Sequence, residues 1–154
     1  MQSELITKED RIELITFYIG NALCGIDITD IQEINKQTTN LTWVPKSPTY
    51  VAGVLNLRGM IVTVVDIGEK LGLSPIQPGK SSRNIIVHYN EELVGILVDS
   101  VSEVLSSDTE NIESAPANLG GVQGDFFCGV LKTEHSLIGI LDIQKALSDG
   151  LGDA

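Results

Sequence analysis

Basic residues are scarce in this chain: ten lysines and arginines stand against twenty-one acidic residues, a formal charge of −11 over 154 residues. Such a chain repels phosphate backbones and anionic lipid surfaces at long range, which argues against nucleic acid as a partner. Thiols are scarcer still. Cys24 and Cys128 are the two cysteines, and neither has a second thiol or a histidine at metal-ligand spacing, so no disulfide framework or metal site is expected. Both read as buried small hydrophobes, because no cationic neighbour is in sequence to activate either thiol. Aromatic residues make up 5% of the chain, one Trp, three Tyr and three Phe, too few and too scattered for a groove that grips proline-rich peptides. No apolar run approaches the roughly 18 residues of a membrane helix, so direct membrane insertion is not expected. Residues 1–11 lack the basic start and apolar stretch of a secretory signal, and cytoplasmic residence is the expectation.

What the chain does have is short runs rich in Ile and Val, punctuated every eight to twelve residues by Gly, Asn, Pro or Ser, the pattern of small sandwiches and barrels. A mainly β fold follows, with strands expected over 13–19, 24–28, 54–57, 60–65, 84–89, 93–98, 127–131 and 137–141. Helix signals are few. Asp66 with Glu69 makes a capping-box-like start to a short helix that Gly72 ends, and a second helix begins after Asp142 and stops before Gly150.

An internal repeat organises these pieces. Residues 53–67, GVLNLRGMIVTVVDI, align without gaps on 129–143, GVLKTEHSLIGILDI, with five of fifteen positions identical. Earlier, 25–34, GIDITDIQEI, matches 95–104, GILVDSVSEV, with apolar residues in register. The Pro-, Gly- and Ser-rich segment 74–82 separates the copies. The expected organisation is one domain over 12–147, with lobe one at about 12–73, a connector at 74–82, lobe two at about 83–147, and flexible termini at 1–11 and 148–154. Lobes of about 70 residues are marginal alone, so they should bury apolar surface against each other.

Positions that agree between copies serve shared architecture; positions that differ can carry a task of their own. The turn reads Asn56-Leu57-Arg58-Gly59 in the first copy and Lys132-Thr133-Glu134-His135 in the second. Arg58-Gly59 reads most simply as a hairpin turn in which Gly supplies positive φ and Arg is solvated. The sharper reading is a recognition site: Gly53 offers close backbone approach, Pro45 and Pro48 stiffen the segment before it, and Arg58 is a planar donor, a combination suited to docking a helix. Catalysis has weaker support. Asp66 and Asp142 are repeat-equivalent and in principle form a carboxylate dyad, the basis of a hydrolase alternative, but the hydroxyl residue and glycine such a dyad needs do not follow them, and both fit as helix N-caps. His88 and His135 have no local partner as base or ligand, and Asn118-Leu-Gly-Gly-Val-Gln-Gly124 lacks the spacing and lysine of a phosphate loop.

The run from Val44 to Ile67, VPKSPTYVAGVLNLRGMIVTVVDI, closely resembles the most characteristic stretch of the CheW-like domain family, and 17–20, 24–28, 31–34 and 95–104 are similar to further segments of it. The resemblance spans about 12–147. It implies two pseudo-symmetric five-stranded SH3-like β-barrels on a shared hydrophobic core, with short helices, no cofactor, no metal and no catalytic residue. It implies an adaptor in chemotaxis signal transduction that joins the helical cytoplasmic tip of methyl-accepting chemoreceptors to the regulatory domain of the histidine kinase CheA, cytoplasmic but recruited to membrane-associated receptor arrays. The receptor groove it implies involves Ile31, Glu33, Gly53, Val54, Asn56, Arg58 and Gly59, with Glu33 and Arg58 paired; the kinase contacts stay unplaced. A Pro is usual in the family where Thr63 stands and an Arg is common where Gly68 stands, positions that bear on which pathway the chain serves. Because the chain ends at Ala154 with no receiver or kinase domain attached, a free-standing adaptor is expected; a scaffold of a parallel pathway such as twitching motility would look the same.

Overall fold

A computed structural model of the chain describes residues 10–148. The strands are β1 (Arg11–Ile19), β2 (Ala22–Asp27), β3 (Ile31–Asn35), β4 (Val51–Leu57), β5 (Met60–Asp66), β6 (Arg83–Tyr89), β7 (Glu92–Val98), β8 (Ser100–Asp108), β9 (Ile112–Glu113), β10 (Asn118–Leu119), β11 (Val122–Gln123), β12 (Phe127–Lys132) and β13 (Leu137–Leu141). Two short helices, α1 (Ile67–Lys70) and α2 (Ile143–Leu147), follow β5 and β13. Each starts as expected: the Asp66 carboxylate accepts the Glu69 N–H at 3.0 Å and the Asp142 carboxylate accepts the Lys145 N–H at 3.2 Å. The expected stop at Gly150 and most of the expected flexible termini lie outside the described residues.

All eight expected strands are present, most of them a residue or two longer than expected. β3 and β8, the third strand of each copy, were not anticipated. Both lie at sheet edges and hold no fully buried residue, so the residue types of neither alternate apolar with polar as in a strand with one buried face.

Neighbouring strands form a five-stranded sheet in the order β3-β6-β7-β5-β4 and a six-stranded sheet in the order β8-β1-β2-β13-β12-β9. The two copies are built to one register. Leu55 faces Val62 as Leu131 faces Ile138, and Val64 lies beside Gly95 in a parallel pair as Ile140 lies beside Gly25. Both copies carry the same β-bulge, between Val51 and Gly53 and between Phe127 and Gly129. Even the hydrogen bond entering each helix repeats, from Asp66 N–H to Tyr50 O at 2.7 Å and from Asp142 N–H to Phe126 O at 2.9 Å. The sixth strand, β9, has its counterpart in an isolated bridge from Thr42 to Val54.

The sheets do not divide the chain at the connector. The five-stranded sheet takes β3, β4 and β5 from the first copy and β6 and β7 from the second, while the six-stranded sheet takes β1 and β2 from the first and β8, β9, β12 and β13 from the second. Lobes drawn at 12–73 and 83–147 therefore cut through both sheets. The reason is parallel pairing of β5 with β7 and of β13 with β2, which joins sequence-distant hairpins. One hydrophobic core spans both sheets, containing Phe17 and Ile26 from one and Val64, Ile86 and Ile96 from the other; a smaller cluster gathers Leu14, Leu131, Ile138 and Ile140. Cys24 is buried in the main core, but Cys128 is exposed, contrary to expectation. It is the extra residue of the Phe127/Gly129 bulge and faces away from the side that buries its neighbours Phe127 and Gly129.

Candidate functional site

The β4–β5 hairpin closes through Arg58 and Gly59, whose φ values of 50° and 90° are both positive, as the tight two-residue hairpin turn requires. The Asn56 side chain accepts the Gly59 N–H at 2.9 Å and braces the turn. Arg58 is thereby held upright at the hairpin tip, where its guanidinium forms a two-pronged ion pair with Glu33 of β3: Nη2 meets Oε1, and Nη1 lies 3.5 Å from Oε2. The contact with the Glu33 carboxylate pushes the guanidinium pKa up. Since β3 and β4 are the opposite ends of their sheet, the pair records how far that sheet curls toward closure.

A groove runs beside this pair, lined by Gln32, Met60, Ile61, His88, Glu92 and Leu93 among others. Gln32 adjoins Glu33 and Met60 follows Gly59, so groove and ion pair share their two supporting strands. Met60 is 49% exposed and Ile61 68%, a large apolar surface for one hairpin. These two residues were missed by the sequence reading. For Ile61 the signal was available: Met60, Ile61 and Val62 are consecutive apolar residues on one strand, and a strand can turn only every second side chain inward; the exposure of Met60 had no such signal.

The anticipated site residues separate into two groups. Glu33, Asn56, Arg58 and Gly59 come together at the hairpin tip. Ile31 instead packs against the main core, and half-buried Val54 exchanges backbone hydrogen bonds with Thr42, both at 2.9 Å. Gly53 is buried, at φ 148°, and a Cβ there would lie 2.7 Å from Thr42 O and 3.0 Å from Leu41 Cβ. The close backbone approach that Gly53 permits is therefore made by the protein's own Leu41–Thr42 segment.

Asp66 and Asp142 stand in separate environments. Asp66 also accepts the Ile76 N–H, at 3.0 and 3.2 Å, tying the connector to α1. Burial pushes its carboxyl pKa up, against those donated hydrogen bonds. Asp142 lines a different cleft with Asp27, Asp30, His88 and Cys128, where burial and then Asp27 raise the Asp30 pKa. Both aspartates serve as caps, as their sequence context suggested. Among the described residues no group of three or more His, Cys, Asp or Glu side chains is arranged to hold a metal ion, and none of the helices is long and apolar enough to cross a membrane. Gly68 is fixed by its neighbours, since a Cβ there would lie 2.4 Å from Ser74 O; an arginine would displace the start of the connector.

Fold and site together define a duplicated, two-lobed β protein with a solvent-facing apolar groove edged by an ion pair. The profile of the CheW-like domain matches residues 13–150, and the chain belongs to that family. It is 31% identical over 149 residues to the probable chemotaxis protein CheW of Rhizobium etli, covering 97% of this chain and 95% of that protein. It is 32% identical over 150 residues to the chemotaxis protein CheW of Bacillus subtilis, covering 96% and 92%. The crystal structure of the scaffolding protein TtCheW from Thermoanaerobacter tengcongensis superposes with a TM-score of 0.81 at 30% identity, over 90% of this chain and 88% of that one.

Proposed function

We propose that this chain is a non-enzymatic adaptor that couples the helical cytoplasmic tip of methyl-accepting chemoreceptors to the regulatory domain of the histidine kinase CheA. The observation that carries the reading is the groove beside the Glu33–Arg58 pair, where exposed Met60 and Ile61 meet fixed polar groups. Apolar anchors bordered by oriented charge suit an amphipathic helix laid along the surface. Glu33, Asn56, Arg58 and Gly59 form the polar edge beside that groove, and Ile31, Gly53 and Val54 act through the packing of the strands that carry it. The protein works by binding and is recruited from the cytoplasm to receptor arrays at the membrane.

The test is binding of the full chain to a receptor signalling-tip fragment and to the kinase regulatory domain, separately and together. Both should bind at once. Arg58→Glu and Ile61→Glu should each weaken the receptor fragment about tenfold or more, with kinase binding retained. Unchanged receptor affinity in both variants removes this groove as the docking site. A folded chain that binds neither partner overturns the coupling role, and a twitching-motility pathway's receptor and kinase would then be tried.

A further inference from the structure

The strand exchange between copies is imposed by two short connections. Were the second copy to close its own sheet in the register the first sheet uses, β8 would lie on β6 as it now lies on β1. Tyr18 faces Ser100, and the repeat-equivalent of Tyr18 is His88, which faces Leu93. Ser100 would then sit level with Leu93, about 16 Å back along β7 and about 10 Å across the sheet. Asp99 alone joins Val98 to Ser100, two peptide steps with a reach of about 7 Å. In the first copy Ile28–Asp30, a single compact 3-10 turn, faces the same demand: it would have to stretch straight to about 14 Å, through the position of β1. A crossover between parallel strands ordinarily takes a dozen residues or more. Neither copy can complete a sheet from its own strands, and each fills the sheet edges the other leaves open.

The connector contributes little to this arrangement at its centre. Its ends are anchored, with Ile76 buried and bonded to Asp66, and Ser82 buried with its hydroxyl 2.7 Å from that of Thr38. Between them Gln77, Pro78, Gly79, Lys80 and Ser81 are all exposed. We infer that the two half-chains, 10–76 and 82–148, are obligate binding partners of each other, held by reciprocal strand exchange and not by their covalent link, so that the folded protein cut within 77–81 remains one specific complex.

The experiment uses the full chain with a site-specific protease sequence inserted between Gln77 and Pro78, cleaved after folding. The cut protein should elute at the size of the uncut one and separate into two fragments only in denaturant. Its thermal midpoint, independent of concentration before cutting, should fall on dilution after it, because folding has become bimolecular. Fragments that part under native conditions overturn the inference, as does one half that keeps its β circular dichroism when the other is removed. Should the first insertion shift the midpoint of the uncut protein, the same sequence between Lys80 and Ser81 gives the same readouts. Neither result depends on receptor or kinase binding.

Discussion

Gly53 and Gly129 occupy the same bulge in the two copies, and at each the space for a side chain is already taken. A Cβ on Gly53 would lie 2.7 Å from Thr42 O; one on Gly129 would lie 2.5 Å from Ile112 Cγ2 and 2.9 Å from Glu113 O. The identity shared by the two positions thus reflects shared architecture: the bridge of Thr42 to Val54 on one side and of Glu113 to Val130 on the other.

Gly53→Ala should therefore act on stability. It meets backbone and adds strain at φ 148°, so a loss of about 2–3 kcal/mol in denaturant unfolding is expected. Gly129→Ala, which meets the Ile112 γ-methyl and the Glu113 carbonyl but carries no positive-φ strain, should cost about 1–2 kcal/mol. A neutral Gly53→Ala would mean that the Leu41–Thr42 segment moves aside freely, and Gly53 would again be open to a role in docking.

The sequence made strands, caps and the repeat legible because each depends on near neighbours: Asp66 needs only Glu69 three residues on, and the 53–67 match to 129–143 is visible in letters. Pairing was not legible in the same way. Nothing in the apolar residues of β2 says that it lies beside β13 and not β5, although the single residue Asp99 between β7 and β8 limits the options once both strands are known. Cys128 was misjudged because residue type alone suggested burial, whereas its place on the strand between buried Phe127 and Gly129 turns it to the other face. At the site, the hairpin turn drew attention to Arg58 and the family resemblance supplied its pairing with Glu33, while Met60 and Ile61, neighbours on opposite sides of β5, are both exposed, which strand alternation alone does not give.

Lys70 lies between repeat-equivalent aromatics, its Nζ 5.4 Å from the Tyr50 ring centre and 5.8 Å from that of Phe126, and donates to Ser148 O at 2.9 Å. It thus links the two copies and binds the carbonyl of Ser148, the residue that ends α2. Burial lowers its pKa, an opposing cost that the ring faces and the carbonyl offset. Lys70→Ala should lower stability by about 1 kcal/mol. Lys70→Met, which keeps the packed stem and removes the desolvation cost, should lose less than half of that. Equal losses in the two variants would show that the charge, and not the stem, supplies the stabilisation.

Asp30 should give stability a pH dependence of a defined sign. Burial first, then Asp27 and Asp142, raise its native pKa, with His88 acting the other way. A carboxyl with a raised native pKa binds its proton more tightly folded than unfolded, so its contribution is most favourable at low pH. It is lost as pH rises from about 4, where the unfolded side chain ionises, through the higher native value. The stability of the parent relative to Asp30→Asn should accordingly fall over that interval and level off above it. The check is a series of urea unfolding curves for both proteins; parallel pH profiles would show that Asp30 is not perturbed by its cleft.

The two thiols should differ in how they resist alkylation. Burial pushes the Cys24 pKa up to about 12, so it should react only when the chain unfolds. Cys128 is exposed at its bulge, yet partial burial of its sulfur, and then Asp142, raise its pKa too. Its reaction with iodoacetamide at neutral pH should therefore be slower than that of a free cysteine peptide and should quicken as pH rises. Asp142→Asn keeps a side-chain oxygen to cap α2 while removing the charge, and it should speed Cys128 alkylation by about two- to threefold at fixed pH. Mass spectrometry of the two cysteine peptides separates the rates. A Cys128 rate equal to that of the free peptide, and unaffected by Asp142→Asn, would mean that the cleft carboxylates do not act on the thiol.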